Sequence, residues 1–352
     1  MKRILIAATA LIGFLALLHT HARPISAGEE GFDAEIRPGA GVSKIKKLSE
    51  YLQSLANTPG DTSVYFLESK EQGGTVFVAA GTHANEIAGI LAATVLIERA
   101  QVLKGRLIVI PHANNSASTY ADPRRPAPPS IVLKSSGGDR QFRYGARLTK
   151  PEHQGEKDPA KYRHPKSTEE LDGSEARNLD RAYPGRADGN LTEKVASAIL
   201  ELIRAESADV AFDLHESGPE SRLAWMVVAN PKSLDLAALA ILDLDAAGIP
   251  MKLEPSSETF RGLSHREWGD ATKAHAFLFE TPNPGMIEKS EGVDLINDPR
   301  FPLVKRVGVH LSTLLAILGA YNNNASPALS VKLLEVPGLS EVTKAGLGTF
   351  LK

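Results

Sequence analysis

A chain of 352 residues with 42% hydrophobic side chains can bury a full core. A formal net charge of −2, without a long run of one sign, excludes the basic stripe of a nucleic-acid-binding surface. The absence of cysteine excludes a disulfide framework, a thiolate nucleophile and cysteine-based zinc or iron–sulfur sites, so a metal here must use His, Asp or Glu.

The N-terminus carries Lys2 and Arg3, an apolar run over residues 4–18, and a polar segment ending in Ile25-Ser26-Ala27. That order is the order of a secretory signal peptide, residues 1–27, cleaved after Ala27. The run is short against the roughly 20 residues of a membrane span, although an uncleaved anchor is the competing reading. Cleavage removes Lys2, Arg3 and Arg23 and no acid, leaving 37 basic against 42 acidic side chains, a formal −5. The expectation is an exported protein, periplasmic or secreted, without stable membrane insertion after cleavage, since no later segment reads as apolar enough to span a bilayer.

Residues 28–322 read as one catalytic domain. A helix is expected around residues 42–55, on the apolar spacing Val42, Ile45, Leu48, Leu52, Leu55. From there the pattern alternates strand and helix: strand 75–81, helix 85–100, strand 105–114, helix 191–206, strands 208–215 and 224–230, helix 234–247, strand 274–281 and a closing helix 303–318. Strands rich in Val, Ile and Phe with few polar positions suit a sheet covered on both faces, hence an α/β fold with a mixed, mostly parallel sheet flanked by helices. Residues 115–184 are rich in Pro, Gly, Arg, Lys and Ser, read as a long loop insertion, and so suggest function or disorder. Residues 323–352 read as a loosely packed extension with one strand near 330–335.

Chemistry concentrates at three strand ends, where ligands of open α/β sheets gather. "GTHANEIAG" offers His83 and Glu86; "FDLHESG" ends on His215; "FLFETPNPG" ends on Glu280. Two histidines and one glutamate make a catalytic zinc set with one position left for water, and a further carboxylate is suited to proton transfer. Taken singly, each has a bland reading: a surface histidine beside a helix-N-terminal glutamate, a strand-end histidine satisfied by backbone, an isolated acid. The order HxxE, His, Glu at successive strand ends favours the metal reading. HExxH, HxxEH, G-x-S-x-G, P-loop and G-x-G-x-x-G patterns are absent.

Together "GTHANEIAG", "RNLDRAYPG", "FDLHESG" and "FETPNPG" resemble the succinylglutamate desuccinylase/aspartoacylase family within the zinc carboxypeptidase (M14-like) superfamily, over residues 74–285. The resemblance implies a zinc carboxypeptidase-like fold, one Zn2+ per chain held by His83, Glu86 and His215, and Glu280 as general base and acid. Arg181 matches the arginine that holds a substrate carboxylate, in keeping with the bidentate grip of a guanidinium fork. Arg143, Arg147, Arg163 and Arg177 are candidates for a second substrate arginine, with Arg147 preferred. The sequence departs from the family pattern at Asp180, where Asn is usual, and at Ala84, where Gly is usual. An acid at 180 weakens carboxylate binding or shifts preference towards a basic or amide group. The segment after Glu280 reads as helix plus tail, without the β-rich C-terminal domain of the small-molecule deacylases, which implies a more open site.

The function expected is an exported zinc-dependent hydrolase of an amide bond next to a carboxylate-bearing group, acting as an N-acyl amino acid deacylase. A metallocarboxypeptidase acting on peptides, such as cell-wall peptides, is the alternative, and a non-catalytic ligand-binding relative is the alternative of another class. The partner in either enzyme reading is a small-molecule or peptide substrate with a carboxylate. Asp213, two positions before His215 and on the same strand face, is a candidate partner for that histidine. His112, His153, His164, His265, His275 and His310 read as structural or surface residues, Tyr183 and Trp225 as packing. Residues 248–269 are placed to cover the pocket.

Overall fold

The computed structural model describes residues 35–122, 128–259, 261–287 and 292–352. The expected signal peptide and its cleavage point lie outside them.

The Val-, Ile- and Phe-rich stretches form the strands of one eight-stranded sheet. In chain order the sheet strands are β1 (Val42–Lys47), β2 (Ser63–Glu68) and β3 (Thr75–Ala80), then β5 (Arg106–Ile110) beyond helix α1 (Ile87–Arg99) and the short strand β4 (Gln101–Lys104). After the residue 115–184 region come α4 (Leu191–Ala205), β10 (Val210–Ser217), β11 (Met226–Ala229), α5 (Leu234–Ala246), β12 (Lys252–Pro255), α6 (Ser264–Ala271), β13 (His275–Pro282) and α7 (Leu303–Asn324). The strand order is β1-β2-β5-β3-β10-β13-β11-β12. Its centre, β5-β3-β10-β13, is parallel, and antiparallel pairs occur at β1/β2, β2/β5 and β11/β13. The expected mixed, mostly parallel α/β sheet is therefore present.

Alternate residues of the central strands feed two cores. Val76, Val78, Phe212, Leu214, Phe277 and Phe279 pack under α1, α5 and α7. Phe77, Ala79, Ala211 and Ala276 pack under α4 and against Trp268 of α6. Helix α1, read from the sequence as amphipathic, is instead buried along almost its whole length, so its apolar surface runs all round. Its approach to the sheet depends on Gly89, since a Cβ there would lie 2.4 Å from the Leu214 carbonyl oxygen. Helix α7 is long and apolar enough by composition to cross a membrane, contrary to the sequence expectation, yet 67% of its apolar window is buried inside the protein. Its apolar surface serves the core.

Three further expectations are corrected. Residues 42–55 form β1 and two short 3-10 turns, not a helix. Leu48 and Leu55 are fully buried, so the three- and four-residue spacing reflects a strand and turns dropping side chains into one core. Within residues 115–184 the described residues carry a short helix α2 (Asn115–Ser118), a hairpin of β6 (Ser130–Ser135) and β7 (Gly138–Arg143), a short helix α3 (Pro151–Gln154) and a two-residue ribbon, β8 (Lys161–Tyr162) with β9 (Leu171–Asp172). The C-terminal residues pack as well. Strand β14 (Lys332–Leu334) pairs with β4, α8 (Leu339–Ala345) packs on α7, and Leu351 is fully buried.

Both ends of the described chain converge on one buried ionic cluster. Glu98 takes two hydrogen bonds from Arg140, at 2.7 and 2.8 Å, and one from the Lys352 backbone N–H at 2.7 Å. Glu35, with its carboxylate fully buried, accepts from Arg143 Nε at 2.7 Å and lies 3.2 Å from His112 Nε2. His112 is thus structural, as expected. Burial by itself raises the Glu35 carboxyl, but His112 and Arg143 more than offset it and bring it down to about 2. Burial and Arg143 also hold His112 below its ordinary value, so Arg143 is the partner that carries charge at neutral pH.

A folded-state value below the unfolded one means that this stabilisation is complete above about pH 4.5 and is lost as pH falls towards 2. Glu35→Gln is expected to cost about 3 kcal/mol at pH 7 and progressively less between pH 4.5 and 2, measured by urea unfolding at each pH. A cost independent of pH would contradict the assignment.

Candidate metal centre and substrate cavity

Sheet register brings the strand-end residues together. His215 on β10 is the direct neighbour of Glu280 on β13, and Leu214 pairs with Ala80, the last residue of β3. The chain then turns sharply at Gly81, with φ +67°, and presents His83 and Glu86 beside them. A Cβ at Gly81 would lie 2.8 Å from the Pro111 carbonyl oxygen, so the turn requires glycine.

The Glu86 carboxylate lies between the two histidines. His83 Nδ1 is 2.6 Å from Oε1 and His215 Nδ1 is 3.0 Å from Oε2. All three side chains are buried, and the imidazole rings stand edge-on at 4.9 Å between centroids. Each far ring nitrogen is backed. His83 Nε2 meets Asn178 Oδ1 at 2.9 Å, and His215 Nε2 lies 2.8 Å from Asp213 Oδ2, while Asp213 Oδ1 accepts from Thr82 Oγ1 at 3.0 Å. The Asn178 Nδ2 donates to Glu175 at 2.7 Å, so its oxygen is the atom that faces His83. His83 must then donate from Nε2, which leaves a lone pair on Nδ1 pointing at a carboxylate.

Two nitrogens aimed at one carboxylate repel unless a proton or a cation lies among them. Burial and Arg147 hold His83 below its ordinary value, whereas for His215 the upward pull of the Asp213 and Glu86 charges outweighs burial. The donor set, two imidazole Nδ1 atoms and a carboxylate within 4.8 Å of one another, fits a divalent zinc-type ion. The backing by an amide and a carboxylate fits the way ligating histidines are oriented.

Glu280 is buried across from these donors, and its Oε2 has no hydrogen-bond partner. Burial raises its carboxyl well above the usual range, and the Glu86 charge adds to the shift. His83, Glu86, His215, Glu280, Arg147 and Arg181 all line one cavity of about 390 Å3. Arg147 reaches it because the Ala84 N–H and C=O pair with Ala146 O and Gly145 N, at 2.9 and 3.0 Å, which ties the 145–147 segment to the loop of His83 and Glu86. Its Nη1 lies 3.2 Å from His83 Nδ1. The other arginine candidates are engaged elsewhere: Arg143 with Glu35, Arg177 with Asp158 at 2.7 Å, and Arg163 with Glu170 at 3.4 Å.

Asp213 takes the role expected for it, and Tyr183 is core, edge-on to Trp268 at 5.4 Å. Of residues 248–269, Thr259, Arg261, Leu263 and His265 line the cavity. Two histidines read as structural or surface, His164 and His265, also line it. Sequence reasoning passed over Asn178, although it lies in the "RNLDRAYPG" motif. It also passed over the buried pair Glu216–Arg306, in which Arg306 Nη1 on α7 donates to Glu216 Oε1 at 2.5 Å, both side chains being fully buried. Glu216 Oε2 accepts the Ala88 N–H at 2.9 Å, capping α1, while the Glu216 N–H donates to Glu86 Oε2 at 2.9 Å.

No family profile matches the chain. A curated relative, N-alpha-acetyl-L-2,4-diaminobutyric acid deacetylase of Halomonas elongata, is 27% identical over 149 residues, 42% of this chain and 30% of that protein. Tripeptide-bound cell shape determinant Csd4 from Helicobacter pylori superposes with a TM-score of 0.52 at 14% identity, covering 81% of this chain and 59% of Csd4. Apo Csd4 gives 0.51 over the same shares. The fold is that of the zinc carboxypeptidases. The resemblance to the succinylglutamate desuccinylase/aspartoacylase family within that superfamily is borne out by the deacetylase match. Relatives of this kind are hydrolases. The matched region is less than two thirds of either relative's length.

Arg306→Met leaves Glu216 buried without its counter-charge, so a loss of about 3 kcal/mol or more is expected from urea unfolding. Adding Glu216→Gln should recover part of that loss. Equal stability of Arg306→Met and wild type would show that the pair does not hold the site together.

Proposed function

We propose that the protein is an exported, zinc-dependent deacylase that cleaves the amide bond of an N-acyl amino acid next to a carboxylate-bearing group. The observation that carries this reading is the unpartnered, buried Oε2 of Glu280 in the same cavity as the convergent donors of His83, Glu86 and His215. Zinc held by those donors polarises a carbonyl and makes water more acidic.

The chain's own residues supply the rest. Glu280 accepts the proton of the attacking water at its free oxygen and returns it to the leaving amine. The elevated affinity of that carboxyl for a proton suits the return step. Arg147 places its donors beside His83, where negative charge develops on the carbonyl oxygen. Arg181, which lines the same cavity, orients the substrate carboxylate. A ligand-binding relative without turnover has no use for Glu280.

The deacetylase relative supports the acyl amino acid reading. The second reading, a carboxypeptidase acting on peptides, is favoured by the fold shared with Csd4, whose structure holds a tripeptide. Export rests on the basic, apolar, small-residue order of residues 1–27.

Glu280→Gln is expected to lower kcat by about a thousandfold while leaving zinc content and stability unchanged. Stripping zinc with a chelator should abolish turnover of the wild type, and added zinc should restore it. Full activity in Glu280→Gln would remove Glu280 from the mechanism.

A further inference from the structure

Arg181 is itself flanked by acids. Its Nη1 donates to the Asp180 carbonyl oxygen at 2.6 Å and lies 3.7 Å from Asp180 Oδ2, while its Nε lies 3.9 Å from Glu175 Oε2. Asp180 is buried and lines the cavity, with Oδ1 fixed by the Ser264 N–H at 2.8 Å. Two carboxylates therefore face one guanidinium. Arg261, which also lines the cavity, brings no surplus charge, because it is held by Glu267 at 2.9 Å and Asp270 at 3.0 Å. Glu169 adds another acid at the exposed rim.

A substrate bearing only a carboxylate at this end gains the Arg181 fork but brings its charge against Asp180. A substrate bearing an ammonium beside the carboxylate satisfies both, the carboxylate on Arg181 and the ammonium on Asp180. The contacts of Arg181 are long enough, apart from the one to its neighbour's carbonyl, to leave N–H donors for that carboxylate.

We propose that Asp180 is a specificity-determining residue, and that Asp180 and Arg181 together select a zwitterionic amino acid head. The substrate class is then a diamino acid, or a peptide ending in one, whose scissile amide involves one amine and whose other amine is free. This rests on reading the cavity as the substrate site. It narrows the class from any carboxylate-bearing amide to those with a neighbouring positive charge.

Two matched probes separate the cases: Nδ-acetylornithine, which carries the zwitterion, and its deamino analogue of the same length, which carries the carboxylate alone. Binding to zinc-loaded Glu280→Gln protein is measured by calorimetry, so that nothing is consumed, and turnover is measured with wild type. The zwitterion is expected to bind about tenfold tighter or more, the scale of one hydrogen bond to a charged group. Asp180→Asn, which preserves the oxygen that takes the Ser264 N–H, should weaken the zwitterion, tighten the analogue and so erase the preference.

Equal binding of the two probes, or tighter binding of the analogue, overturns the inference with no need of the Asp180 variant. So does an Asp180→Asn variant that shifts both probes alike. If wild type hydrolyses acyl amino acids without regard to the free amine, the deacylase reading stands and this inference falls. If neither probe binds and no acyl amino acid is hydrolysed, the functional reading fails and takes the inference with it.

Discussion

The Glu86 carboxylate is the point on which the site is assembled. One oxygen faces His83, the other faces His215 and takes the Glu216 N–H. Through these contacts the loop after β3 is joined to β10, and β10 in turn carries His215 in register with Glu280 on β13. A buried carboxylate between two imidazoles is costly unless positive charge lies among them. That electrostatic requirement calls for a proton or a cation, and the atoms that face one another are the donors proposed to hold one. Arg147 supplies some positive charge from one side, at 3.8 Å from Glu86, but it is partly exposed and sits outside the set of donors.

Behind this centre lies a scaffold that holds it still. Asn178 and Asp213 orient the far sides of the two rings, one with an amide and the other with a carboxylate. Glu216, the residue after His215, turns to the opposite face of the sheet, where it caps α1 and pairs with Arg306 of α7. The alternation of a strand thus places a ligand on one face and its mechanical anchor on the other. Asn283 closes the arrangement by donating to both Glu216 and the Asn85 carbonyl oxygen. The helix that passes a membrane-length test by composition is therefore tied to the active site from inside the core.

Much of the site was legible because His83, Glu86, His215 and Glu280 sit on or just beyond strands that announce themselves by long Val, Ile and Phe runs. Local pattern was enough there. It failed where partners come from afar. Residues 42–55 carry helical spacing, yet the edge of the sheet claims them as β1. Residues 115–184 show little periodicity, and the described ones among them are held by single anchors such as Arg177 to Asp158 and Asn178 to His83. Glu216 and Arg306 are 90 positions apart in the chain, and nothing local to either marks them as a pair. Arg147, already preferred among the arginine candidates, lines the cavity, whereas Arg143, Arg163 and Arg177 are bound elsewhere.

The central claim is that His83, Glu86 and His215 hold a metal ion. Zinc-edge X-ray absorption on the zinc-loaded chain tests it most directly, because it reports the ligating atoms without any assay of activity. The account predicts two imidazole nitrogens and carboxylate oxygen around the ion, with one imidazole lost in His215→Ala. A chain that takes up no zinc, or binds it through oxygen alone, would contradict the account.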